Sequence, residues 1–115
     1  MRVVSWHDEP VDWLSPMIGR QILDTDRITV ARLVLKAGGY VPEHSHEHEQ
    51  VANVLEGRLR FRIGAEERDV GAGESVVVPS GIPHEVEVLV DAVVLDLFVP
   101  PRDDWRRGDD AYLRR

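Results

Sequence analysis

The sequence predicts one all-β domain, an antiparallel sandwich or barrel, and three observations carry that expectation. Hydrophobic residues alternate with period two from about Thr29 onward, Gly and Pro cut the pattern into short runs, and no segment before Pro101 has a helical period. Leu59, Phe61 and Ile63 alternate with Arg58, Arg60 and Arg62, as in a strand with one buried and one wet face. Gly64-Ala65-Glu66 reads as a turn into Glu67–Val70, and Gly71-Ala72-Gly73 as another. Val76-Val77-Val78 is a short apolar run stopped by Pro79. From His84 the alternation returns, with His84, Val86, Val88 and Val90 on one side. Ala92–Val99 is apolar on both faces apart from Asp96, which suits a central strand or one covered by a partner. Pro100-Pro101 ends it, since proline cannot donate to a ladder.

This divides the chain into an N-terminal part (1–28), a barrel (29–100) and a tail (101–115). The first part holds Trp6, Trp13, Met17, Ile18, Ile22 and Leu23 without clear alternation, and reads as short strands or an arm packed on the barrel or on a dimer partner. In the tail, Asp103–Leu113 forms at most one helical turn or stays loose. Arg102, Arg106, Arg107, Arg114 and Arg115 are interleaved with Asp103, Asp104, Asp109 and Asp110, the pattern of a solvated mixed-charge surface.

A length of 115 residues allows one compact core and is too short for two ordinary domains. The net charge of -7 disfavours a nucleic-acid partner. With no cysteine, disulfides, thiolate metal sites and a cysteine nucleophile are excluded. Met1–Asp8 lacks the apolar centre of a signal peptide, and no apolar run approaches membrane-spanning length. A cytoplasmic protein without membrane contact is the default expectation.

The chemistry concentrates in two segments. One runs from Gly38 through His44, His46, His48 and Gln50 to Gly57; the other runs from Gly73 through Pro79 and Gly81 to His84. Imidazole is the commonest protein ligand for a divalent transition metal. On an extended segment His44, His46, His48 and Gln50 share parity, so periodicity does not say which of them bind. A histidine-rich surface loop would account for the first segment alone. A paired motif at a distance is much less expected by chance than a lone His-x-His.

These residues resemble the cupin superfamily. Gly38, His44, His46 and Gly57 match its first motif, with Gln50 where Glu is usual. Gly73, Pro79, Gly81 and His84 match its second, with Val88 in place of a non-ligand Asn. The resemblance implies a single-domain jelly-roll β-barrel with a divalent transition metal (Ni, Zn, Fe, Mn or Co) bound inside. It selects His44, His46, Gln50 and His84 as metal ligands and leaves His48 at the mouth of the site or exposed. Neutral ligands throughout would leave the double charge of the ion uncompensated, which favours an anionic, oxygen-rich substrate.

A second constellation lies at Asp96, Phe98 and Arg102. A carboxylate inside an apolar run is costly unless paired or working, and burial raises its pKa, which makes Asp96 a candidate proton-transfer group. The alternative places Asp96 on the outer face, paired with Arg32 or Arg102. The strings Arg20-Gln21-Ile22-Leu23, Pro42–Gln50 and Val94–Arg102 are similar to the pectin-degradation cupins of the KdgF type. That resemblance implies an enzyme opening 4,5-unsaturated uronate monosaccharides, from pectin or alginate, to the linear 5-keto form. Asp96, Phe98 and Arg102 would serve as its catalytic and substrate-site residues. An anionic sugar would be the small-molecule partner, and a homodimer the assembly. Two other readings fit the same ligand set: a cupin dioxygenase with a redox metal, and a non-catalytic metal- or sugar-binding cupin.

Overall fold

The computed structural model describes residues 1–114. It is built from strands β1 (Asp12–Ser15), β2 (Ile18–Asp24), β3 (Thr29–Leu35), β4 (Tyr40–His44), β5 (Glu49–Ile63), β6 (Glu66–Gly71), β7 (Ser75–Val78) and β8 (His84–Val99). A single helical turn, α1 (Asp103–Arg106), and a 3₁₀ turn (Ala111–Leu113) follow. Every pairing is antiparallel, and the fold is all-β, as expected for a jelly roll. The main sheet runs β1-β2-β3-β8-β5-β6, with β4 also on β8 and β7 also on β5. No helix among the described residues is long and apolar enough to cross a membrane.

β5 and β8, at 15 and 16 residues, are far longer than an ordinary strand of roughly 5–6. They pair with each other along most of their length, while each trades neighbours at midlength. β8 runs beside β4 through His84–Glu87 and beside β3 through Ala92–Phe98. β5 runs beside β7 through Gln50–Asn53 and beside β6 through Arg58–Ile63. The two long strands therefore bend over both halves of the barrel, and residues from either end can face one interior.

A bulge makes that bend possible. In β5 the buried residues are even-numbered at Gln50, Ala52 and Val54 but odd-numbered at Leu59 and Phe61, and the register with β8 slips between Val54 and Leu59. β8 keeps even residues buried at both ends, yet Val90, expected on the inner side, is 52% exposed because it sits where the ladder bends. Gly57 occupies the bulge at φ +84°, and a Cβ there would lie 2.2 Å from the Asp91 carbonyl oxygen. Gly57→Ala therefore combines a left-handed backbone with a backbone clash. It should cost about 3 kcal/mol or more. Chemical denaturation measures this, and an unchanged midpoint would show that the bulge relaxes freely.

The core is mainly aliphatic, with Leu14, Ile18, Leu35, Val54, Leu59 and Val94 all buried, each contributing about 1.5–3 kcal/mol by leaving water. Residues 1–28 supply β1 and β2, which extend the main sheet from β3. The side-chain amide of Gln21 ties down the chain before β1 by donating to the Trp6 and Glu9 carbonyls. The tail folds back as well. Trp105 and Leu113 join the core, and the buried Arg20 and Asp110 pair at 2.9 Å. The charged run is thus only partly a solvated surface. Arg102 and Asp110 are 2% and 3% exposed, because Trp105 and Leu113 draw the segment onto the barrel.

Candidate metal centre and active site

Each histidine of the cluster is placed by backbone and fixed in tautomer by backbone. His44 ends β4 and lies opposite His84, the first residue of β8, while His46 sits in the loop before β5. Nδ1 of His44 lies 2.8 Å from the Pro42 carbonyl, Nδ1 of His84 lies 2.9 Å from that of Ile82, and Nδ1 of His46 lies 3.0 Å from that of His48. A carbonyl only accepts, so each Nδ1 carries the proton and each Nε2 presents a lone pair. One ring nitrogen from each of the three lies within 4.8 Å of the others, so they are positioned to hold a metal ion.

Burial keeps these rings neutral. It pushes His44 and His46 down to about 4 and lowers His84 as well, and the positive charge of Arg102 adds to the effect on all three. Gln50, in β5, adds its amide. Nε2 of Gln50 donates to Oδ1 of Asp96 at 3.2 Å, which turns Oε1 toward His46 Nε2, also at 3.2 Å. Two lone pairs then face each other, a contact that a cation between them would convert into two ligand bonds. The donor set therefore fits a divalent transition metal, with neutral ligands only.

Asp96 faces inward. It is 3% exposed, its partner is Gln50, and burial raises its pKa to about 7 against the opposing pull of Gln50 and Arg102. The outer-face alternative fails on geometry: Asp96 borders the inner cavity, Arg32 bonds Gln21, and Arg102 bonds Asp104. Phe98 shares the inner face of β8, with its ring 5.9 Å from His46 and 5.1 Å from Trp105. The Arg102 guanidinium stacks on Phe98 at 4.7 Å and on Trp105 at 4.1 Å. Nε and Nη2 of Arg102 donate to the two oxygens of Asp104 at 3.0 and 2.9 Å, and Nη2 also donates to the Tyr112 hydroxyl at 2.9 Å. One cavity is bordered by His44, His46, Gln50, His84, Asp96, Phe98 and Arg102 together.

Of the two places expected for His48, the exposed one is excluded. The residue is buried, 4% exposed, with its Nε2 3.9 Å from Asp104 and its Nδ1 without a partner among the described residues. Its ring lies 5.4 Å from that of His46 and 6.4 Å from that of Phe98, so it stands beside the site although the chain bends at Glu47 and His48. Trp105, Asp104 and Tyr112 also belong to this site and were hidden in the charged tail. The signal available was two aromatic residues and Leu113 within an otherwise polar run, too sparse to show a periodicity.

Residues 31–99, more than half of the chain, match the family model of the cupin domain, so this protein belongs to the cupin family. An uncharacterized protein of Streptomyces coelicolor is 32% identical over 82 residues, covering 70% of this chain and 78% of that one. Among solved structures, KdgF from Halomonas sp. is similar with a TM-score of 0.86 at 28% identity, covering 91% of this chain and 98% of that one. An RmlC-like cupin from Shewanella frigidimarina also reaches 0.86, at 22% identity over 91% and 96% of the two chains, which speaks to the fold alone.

Proposed function

We propose that this cupin opens 4,5-unsaturated uronate monosaccharides, of the kind pectin or alginate breakdown releases, to the linear 5-keto form. One observation carries the reading: a buried carboxylate, Asp96, borders the same cavity as the three imidazoles and Gln50, with Phe98 and Arg102 in its wall. The structural likeness to KdgF from Halomonas sp. supports it.

The substrate is a cyclic enol ether with a hemiacetal carbon. Opening removes the proton of the hemiacetal hydroxyl, breaks the bond from that carbon to the ring oxygen, and places a proton on the enol carbon. No atom is gained or lost. Asp96 would take the hydroxyl proton and return one to carbon, a shuttle suited to a carboxyl whose pKa burial has raised toward neutrality. Arg102 would hold the uronate carboxylate through Nη1, which makes no hydrogen bond to another described residue. Phe98 would pack on the sugar ring. A divalent metal held by His44, His46, Gln50 and His84 would stabilise negative charge developing on substrate oxygen.

Exposed Trp13 and Tyr40 support the homodimer included in this reading, and the cytoplasm is its proposed location. NMR of the metal-loaded protein with an unsaturated uronate tests the activity. The vinyl resonance should vanish well ahead of a protein-free control, and equal rates would overturn the proposal.

A further inference from the structure

The site contains a hydrogen-bond donor that the proposed chemistry has not used. Tyr112 comes from the 3₁₀ turn, borders the cavity, and packs its ring on His44 with centroids 4.5 Å apart. Its hydroxyl oxygen accepts from Arg102 Nη2 at 2.9 Å and from Trp105 Nε1 at 3.2 Å. Both partners are obligate donors, so neither can receive the phenolic proton. Among the described residues the hydroxyl has no acceptor for it.

Arg102 explains where an acceptor would sit. Its guanidinium is planar, and the edge formed by Nε and Nη2 is filled by Asp104. The second Nη2 proton, which goes to Tyr112, lies on the remaining edge beside Nη1. The free end of Arg102 and the free proton of Tyr112 are therefore neighbours. A carboxylate has two oxygens at a spacing that suits two such donors.

We infer that Tyr112 is a substrate-contacting residue that grips the second oxygen of the uronate carboxylate, completing with Arg102 Nη1 a two-point clamp. The inference rests on the uronate reading and gives it a specificity element: the clamp recognises an ionised acid and rejects its ester. Asp110 anchors the turn that carries Tyr112. It lies two residues before Tyr112, is buried, and pairs with Arg20 at 2.9 Å and with Arg114 at 3.0 Å.

Calorimetric titration of metal-loaded wild type and Tyr112→Phe with galacturonate and with its methyl ester tests the clamp. Wild type should prefer the acid, and the variant should lose roughly tenfold or more of that preference, as for a lost hydrogen bond to a charged group. An unchanged ratio, or equal weakening toward both sugars, would overturn the clamp. If wild type binds no galacturonate and turns over no unsaturated uronate, the clamp and the proposed function fall together; turnover without galacturonate binding would overturn the clamp alone. Turnover of an unsaturated uronate with an unchanged acid-to-ester ratio would remove Tyr112 alone. A measurement on wild type covers the case in which the variant does not fold. The chain has two tyrosines, and Tyr40 is half exposed on the outside, so the Tyr112 ring is readily followed by NMR. Galacturonate should shift its resonances, and binding without any shift would overturn the inference.

Discussion

Asp96→Asn should lower turnover of an unsaturated uronate by about 10²–10⁴-fold, the usual worth of a positioned acid–base group, while metal content stays as in wild type. Asparagine has the same shape and keeps an oxygen to accept from Gln50 Nε2, so the amide of Gln50 should keep its orientation toward His46. It cannot take up and return a proton. The substitution should also leave the fold intact. Burial penalises the charged form of Asp96, and a neutral side chain in that position carries no such cost. Steady-state kinetics together with elemental analysis decide the matter. Full activity in a metal-replete variant would discard Asp96 as the proton carrier.

His46→Ala should cost at least about 100-fold in metal affinity, more than loss of a residue that merely supports a ligand. Two consequences are measurable. Dialysed protein should lose its metal by elemental analysis, and the rise in melting temperature on adding metal should largely disappear, because that rise reports binding to the native state. The metal-free variant should melt near metal-free wild type. His46 stands in the loop between β4 and β5, and it is not among the hydrophobic residues that hold the barrel closed. Unchanged metal stoichiometry would refute the ligand assignment.

How much of this was legible depends on how local the cause is. Alternation of Leu59, Phe61 and Ile63 with arginines reports a half-buried strand directly, because side chains on a strand alternate by geometry. The same rule put Asp96 and Phe98 on one side of β8, which is how the structure has them. It fails wherever the chain stops being extended. The chain bends at Glu47 and His48, so that His48 is buried beside His46, and β5 changes its buried parity at the Gly57 bulge. Neither slip is visible in residue order, since each depends on a neighbouring strand: the bulge is set by how closely Asp91 and Ala92 approach Gly57.

Residue order by itself determined the all-β class, the turn positions and the inventory of side chains able to bind a cation or move a proton, because these follow from chirality, pleat and donor chemistry within a few neighbours. Only the tertiary structure decided which of those side chains meet. β4, β5 and β8 converge to bring His44, Gln50 and His84 together, and Trp105 and Leu113 draw a highly charged tail onto the barrel so that Arg102 and Tyr112 border the same cavity. The reason is physical: burial of apolar surface acts between segments far apart in the chain, and it carries even charged residues inward when each finds a partner there.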